Sequence, residues 1–193
     1  MFDRTTSGSA LKWLSIVDEY TRECLALKVD RSITSEDVID TLAELFAMRG
    51  VPKCIRSDNG PEFVARAIQD WTKRLGIETL YIAPGSPWEN GYAESFHSRL
   101  CDEFLGLEEF ESLPAARKLT ATWKEDYNHH RPHSSLGYVT PVEFAAAVLL
   151  PFGLRLRSSS TRQDMKHYPF PNPYSHNPSH EVFSVKDSVH RGV

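Results

Sequence analysis

The chain has 193 residues, 40% of them hydrophobic, and a net charge of −4. This length and hydrophobic content predict one domain with a sizeable core, followed by a tail. No apolar stretch reaches the roughly 18 residues that a membrane span needs, and the N-terminus lacks the basic and apolar segments of a signal peptide. We therefore expect a cytoplasmic protein with no membrane partner.

Strands and helices alternate along residues 1–150. Residues 11–18 and 24–29 have the pattern of two strands joined by a short turn, which predicts an antiparallel hairpin. A helix to Arg49 follows, with Thr34 or Ser35 as its N-cap and Gly50 as its stop. The later predicted elements are a strand at 51–55, a helix at 65–75, a strand at 77–82, and helices at about 90–103, at 113–127 and from 140 onwards.

Two carboxylates lie in distinctive strings. Asp58 lies in Ser-Asp-Asn-Gly-Pro-Glu-Phe (57–63), Glu94 lies in Glu-Asn-Gly-Tyr-Ala-Glu-Ser-Phe-His (89–97), and 35 residues separate them. Asp58 follows a buried strand at a turn, the usual place for a site in an α/β sheet, and Glu94 lies in a helical stretch. Two such carboxylates can hold hard cations that activate a water or hydroxyl for attack on a phosphodiester. The pattern predicts a divalent-metal site.

Residues 1–150 resemble the catalytic core of bacterial insertion-sequence transposases, which have a retroviral-integrase-like fold. The resemblance rests on both acidic strings and on residues 16–24, 84–87 and 127–141, all in family order. It implies an RNase H-like layered α/β fold with a mixed central sheet flanked by helices. It also implies that Asp58 and Glu94 are the second and third carboxylates of an Asp-Asp-Glu triad.

The resemblance implies a function as well. A transposase core of this kind uses Mg²⁺ or Mn²⁺, two ions in the intact enzyme, to nick DNA and to join a freed 3′-hydroxyl to target DNA. Its partners are transposon ends and target DNA, it works as a homo-oligomer on DNA, and it needs no small-molecule cofactor. We expect Asn59, Asn90, Tyr92, His97 and Arg99 to position DNA or the site's loops.

The first carboxylate of the triad has no clear match. In the family it lies on the first strand, and Met1-Phe2-Asp3 resembles the end of that segment, so we expect the catalytic Asp just upstream of Met1. Asp3 has no preceding strand to position it, and Asp18 matches a family position that is not a metal ligand. Two alternatives therefore stay open: a non-catalytic DNA-binding or oligomerising remnant that interferes with full-length transposase, and an RNase H-type nuclease without strand transfer.

The negative net charge is unusual for a protein that binds nucleic acid, since such domains generally carry a basic excess. A metal site concentrates acids that the cations neutralise, and the family carries its main DNA-recognition domain upstream of the core. The charge therefore does not exclude DNA as the partner.

Helical spacing places Asn90, His97, Ser98 and Cys101 on the same face as Glu94, where we expect them to line a DNA groove. The family often has Lys or Arg at the position of Cys101, so the thiol departs from its pattern. Cys24, Cys54 and Cys101 are too few and too scattered for a disulfide framework or a CxxC knuckle, and reduced thiols are expected.

Histidines and tryptophans have mostly structural interpretations. The string 127–133, with His129, His130 and His133, is expected to end a helix and form a turn, with Arg131 near DNA; its spacing does not favour zinc. The expected core tryptophans are Trp13, Trp71 and Trp123, whereas Trp88 could stack on a base.

Residues 151–193 differ in character from the rest. They contain Ser158-Ser159-Ser160, five prolines, four of the eight histidines and no sustained hydrophobic period. This composition predicts a divergent, disordered tail rather than a second domain.

Overall fold

A computed structural model describes residues 2–57, 65–81, 91–149 and 182–187. Six strands form one mixed sheet, and helices lie on both of its faces. None of the helices in these ranges is both long enough and apolar enough to cross a membrane. The strands are β1 Phe2–Arg4, β2 Ala10–Asp18, β3 Cys24–Asp30, β4 Cys54–Ser57, β5 Glu78–Tyr81 and β6 Val182–Asp187, and the helices are α1 Ser35–Arg49, α2 Arg66–Arg74, α3 Gly91–Leu100, α4 Leu113–His129 and α5 Pro141–Leu149.

The predicted hairpin is confirmed as β2 and β3, which pair antiparallel. Its turn is organised by Asp18, whose Oδ1 accepts hydrogen bonds from the backbone N–H groups of Tyr20 (2.7 Å) and Thr21 (3.1 Å). The turn also requires Arg22 to adopt φ 63°, a left-handed conformation that few non-glycine residues take. Arg22 is therefore held in a fixed direction at the end of the hairpin.

The predicted caps of α1 are confirmed. The Thr34 side chain accepts from the backbone of Asp37, and the Asp37 carboxylate accepts from the backbone N–H of Thr34 at 2.9 Å, which is a capping box. Gly50 ends the helix with φ 88°. A side-chain N-cap such as Thr34 contributes about 1 kcal/mol to the stability of a helix.

The strand predicted at 51–55 begins later, at Cys54, and runs to Ser57. Val51 is 51% exposed, and Pro52 has no N–H to donate to a neighbouring strand. The apolar run therefore starts before the sheet does. Ser57, the last residue of β4, immediately precedes Asp58 in the chain.

The tail contains a strand that the sequence analysis did not predict. β6 pairs antiparallel with β2 and parallel with β4, so it lies in the middle of the sheet. Phe183 and Val185 are each 1% exposed. Disorder is therefore wrong for residues 182–187, while the rest of 151–193 lies outside the described residues. The pattern of Val182-Phe-Ser-Val185 is too short to stand out from its polar surroundings.

β6 and β1 occupy the same edge of β2. β3 takes one edge of β2, and on the other edge β1 pairs with residues 10–12 and β6 with residues 14–18. Both are antiparallel to β2, so they run in the same direction, and only the position opposite Trp13 separates them. Two segments from opposite ends of the chain thus form one interrupted central strand.

Polar contacts also fix β6. Glu19, just after β2, accepts hydrogen bonds at Oε1 from Ser184 Oγ (2.5 Å) and from Arg56 Nε (2.9 Å), and its backbone N–H donates to the Val182 carbonyl (3.0 Å). Ser184 is buried. One carboxylate therefore ties together the hairpin, β4 and β6.

A hydrophobic core lies on each face of the sheet. The first is formed by β2, β4 and β6 with α1 and α2, and Trp71 packs against its edge beside Phe46. The second is formed by β2 and β3 with α3 and α4; Trp13 is fully buried in it, and Trp123 packs against it. The expectation that these three tryptophans belong to the core is confirmed. All three cysteines are buried and none of them forms a disulfide, as expected for reduced thiols.

We predict different stabilities for two matched truncations in β6. Val185→Ala removes two buried methyl groups from the core and should lower the free energy of unfolding by about 2 kcal/mol. Val182→Ala removes the same atoms from a partly exposed position and should cost less than about 1 kcal/mol. Urea denaturation measures both values. Equal, negligible losses would mean that β6 is not part of the sheet.

Candidate active site

Glu94 lies in the first turn of α3. The buried face of this helix consists of Ala93, Phe96 and Leu100, which pack into the second core. Glu94 follows Ala93 and is therefore held at the boundary between core and solvent, partly exposed. Its carboxylate forms no hydrogen bond or ion pair with any other residue that the structure describes.

The surroundings of α3 connect Glu94 with the end of β4. α3 packs against β6, and β6 lies directly beside β4. Along this pair, Ser57 is in register with Val185. The helix that carries Glu94 thus packs on β6. The strand next to β6 is β4, whose last residue precedes Asp58.

Three of the predicted site residues, Asp58, Asn59 and Asn90, lie outside the described residues, and so does Trp88. The close approach of the Asp58 and Glu94 carboxylates therefore stays a prediction. Tyr92, His97 and Arg99 lie with Glu94 on α3.

Asp18 has a structural role in the hairpin turn. It is 5% exposed, and its Oδ1 accepts two backbone N–H groups. Burial raises the pKa of Asp18, while the hydrogen bonds from Thr21 and Tyr20 oppose that shift. A carboxylate engaged in this way is poorly placed to bind a metal, in agreement with its interpretation from the sequence.

Asp3 lies too far along the sheet to join the site at the end of β4. Asp3 pairs with Leu11, whereas Ser57 pairs with Val185, which pairs with Ile16. Five residues along β2 at about 3.4 Å each separate the two levels by roughly 17 Å. Metal–oxygen distances of about 2 to 2.6 Å cannot span that gap.

Tyr92 and Arg99 flank a recess on α3 that faces the hairpin turn. Tyr92 is 49% exposed, and the Arg22 guanidinium carbon lies 3.6 Å from the centroid of its ring, a cation–π contact. His97 is partly buried. Arg22 was not a candidate from the sequence, because its contact with Tyr92 depends on the hairpin turning back onto α3.

The expectation for Cys101 is wrong. α3 ends at Leu100, and Cys101–Leu105 forms a π-helical turn with one more residue per hydrogen-bonded ring. Cys101 lies next to Leu100 and three residues before Phe104, both of which pack into the second core, and it is itself only 8% exposed. Cys101 therefore does not line a groove with Glu94, although α-helical spacing alone would place it there.

The histidine-rich string ends a helix, as predicted. α4 ends at His129, and the turn that follows returns through His133, whose backbone pairs with Val139. Arg131 forms an ion pair with Glu103 of the π-helical turn. The position of this whole segment is fixed by Asn128, whose side chain donates to the Cys24 carbonyl (3.0 Å) and accepts from the Cys24 N–H (2.8 Å).

Two family models match the chain, one over residues 2–87 and one over residues 75–141, and both are described as an integrase core domain. A 39.2 kDa uncharacterized protein of insertion element IS476 from Xanthomonas euvesicatoria is 42% identical over 146 residues, or 76% of this chain and 42% of that protein. A 31.7 kDa uncharacterized protein of IS407 from Burkholderia multivorans is 40% identical over 146 residues, or 76% of this chain and 53% of that protein. The chain spans about half the length of these relatives.

Solved structures share the fold. The catalytic core of BIV integrase has a TM-score of 0.56 and 22% identity, covering 76% of this chain and 91% of that chain. The catalytic core of HTLV-2 integrase, solved in complex with magnesium, has a TM-score of 0.56 and 16% identity, covering 75% of this chain and 90% of that chain. The RNase H-like fold expected from the sequence is thus confirmed.

The burial of Cys101 generates a matched test. Cys101→Arg would place a charge without a partner in the interior and should lower the free energy of unfolding by about 3 kcal/mol or more. Ser98→Arg, at an exposed position of α3, should change it by no more than about 0.5 kcal/mol. Thermal denaturation compares the two. A Cys101→Arg variant as stable as the parent chain would place residue 101 at the surface and restore the groove expected from helical spacing.

Proposed function

The chain belongs to the insertion-element transposases that carry an integrase core domain, and on that premise we propose that it acts as a transposase catalytic core in DNA transposition. The reaction would be metal-dependent nicking and strand transfer at phosphodiester bonds. The observation that best supports this function is the placement of Glu94, partly exposed and without a partner among the described residues, on α3, which packs against β6, the strand beside β4.

Asp58 and Glu94 are the residues that we propose hold Mg²⁺ or Mn²⁺. Carboxylate oxygens are the ligands that these hard cations prefer, and the Glu94 carboxylate is not engaged by any other described residue. When bound, such an ion polarises the scissile phosphate and lowers the pKa of an attacking water or 3′-hydroxyl.

The other groups around α3 would position the nucleic acid. Tyr92 offers an exposed ring and Arg99 a cationic side chain on the helix of Glu94. We assign the same role to His97, Asn59 and Asn90. The substrates of the reaction would be transposon ends and target DNA, bound by more than one copy of the chain.

A non-catalytic role is the second candidate, and β6 is the observation that favours it. A metal site of the kind that the family resemblance implies would need a third carboxylate, the first Asp of the triad, beside Asp58 and Glu94. The strand beside β4 is β6, in which Val185 pairs with Ser57. The next residue of β6 is Lys186, which is not an acid. With Asp18 engaged in a turn and Asp3 at another level of the sheet, the chain would bind DNA or full-length transposase without cleaving DNA.

Metal binding tests the proposed site directly. We predict that Glu94→Gln weakens Mn²⁺ binding by at least about 10- to 100-fold. Loss of a group that only hydrogen-bonds to a metal ligand already lowers metal affinity by that factor. Glu44→Gln, on the exposed side of α1, is the control and should leave binding unchanged. Calorimetric titration measures both variants.

A joining assay then separates the two candidate functions. Transfer of a 3′-hydroxyl oligonucleotide into plasmid DNA, abolished by Glu94→Gln and unaffected by Glu44→Gln, would establish the catalytic role. Absence of joining together with inhibition of a full-length relative would favour the non-catalytic role. Mn²⁺ binding that survives both Glu94→Gln and Asp58→Asn would contradict the proposed metal site.

A further inference from the structure

A cavity of about 300 Å³ lies between α3, the β2–β3 turn and the segment that follows α4. The cavity is open to solvent, and Tyr92 in its lining is 49% exposed. The polar groups that matter here are Arg22, Tyr92, Arg99, His133, Ser134 and Ser135.

Positive charge is concentrated around this cavity. The guanidinium groups of Arg22, Arg99 and Arg131 all act electrostatically on His133. Arg131 is neutralised by its ion pair with Glu103. Within the described ranges, Arg22 and Arg99 have no acidic partner. Two cations without an acidic partner among the described residues therefore line one recess of a chain whose net charge is negative.

Arg22 is fixed in place before any ligand arrives. Its backbone has φ 63°, its Nη1 donates to the Glu19 carbonyl at 2.5 Å, and its guanidinium stacks on Tyr92 at 3.6 Å. Non-glycine residues seldom adopt this strained conformation, and where they do it is often at a functional site. A guanidinium fixed in this way loses little entropy on binding an anion.

His133 reports on the charge in the cavity. It is 7% exposed, and its Nε2 is buried without a hydrogen-bond partner among the described residues. Burial, and then the three guanidinium groups, lower the pKa of His133 to about 4. Negative charge bound near Arg22 and Arg99 would offset the part of this pKa shift that the guanidinium groups add to the effect of burial.

We propose that this cavity binds a phosphate group of a DNA backbone, held by Arg22 and Arg99 with the hydroxyls of Ser134 and Ser135 beside them. A guanidinium matches the geometry of phosphate oxygens and binds them in a bidentate manner. This assignment rests on the proposed function, which makes DNA the substrate. It adds a contact on the side of α3 that faces the hairpin turn and His133.

The test uses the full chain, a 20-base-pair duplex and inorganic phosphate. Arg22→Gln and Arg99→Gln should each reduce the slope of log K against log salt by about one unit, the change expected for the loss of one phosphate contact. Their duplex affinity should fall by about 5- to 10-fold, which corresponds to about 1 to 1.4 kcal/mol, because each variant loses one charged contact with the phosphate. Arg74→Gln, at an exposed position of α2, is the matched control and should change neither quantity.

Inorganic phosphate supplies the second readout. We expect it to shift the ring resonances of His133 in the parent chain and to have no such effect in the Arg22→Gln, Arg99→Gln double variant. Duplex binding with an unchanged salt slope in both single variants would overturn the phosphate site and leave DNA as the substrate. A His133 shift with phosphate in a chain that does not bind the duplex would overturn the assignment to DNA and contradict the proposed function.

Discussion

Hydrogen bonding along both edges of β2 is the constraint on which the rest of the structure depends. Most of β2 is buried, and buried backbone N–H and C=O groups must be paired. β3 pairs with one edge, while β1 and β6 share the other. Because β6 also pairs with β4, it connects the hairpin with the β4–β5 half of the sheet in the part of the chain that the structure describes. Both hydrophobic cores form on the continuous sheet that results.

This continuity determines where the candidate functional groups lie. α3 packs against β6, so the level of Glu94 relative to the end of β4 depends on the central strand. On the opposite side of α3, Asn128 ties the end of α4 to β3, and the turn that follows brings His133 toward Arg99. The proposed metal ligand and the proposed phosphate contact thus lie on one helix, and each depends on a different neighbour.

Caps and turns that depend on interactions between neighbouring residues were predicted correctly from the sequence. The N-cap of α1 at Thr34, its stop at Gly50 and the hairpin of β2 and β3 depend on residues that are close together in the chain, and these features were predicted from the sequence. The predictions that were wrong concern residues whose structure depends on contacts with distant parts of the chain. Residues 182–187 become a strand only because β2 and β4 supply partners, and Cys101 is buried because the neighbouring Leu100 and Phe104 pack into the second core. Arg22 reaches Tyr92 only through the tertiary fold, so no pattern in the sequence indicated it.

Hydrogen exchange at individual backbone amides tests the central role of β6 most directly. If β6 is the strand that unites the sheet, the amides of Phe183 and Val185 that pair with β2 and β4 should exchange as slowly as those of Ile16 and Ile55, through global unfolding. Amides of β6 that exchange at the rate of an unstructured chain, while Ile16 and Ile55 remain protected, would show that the sheet forms without this strand. β6 would then not hold α3 and Glu94 beside the end of β4.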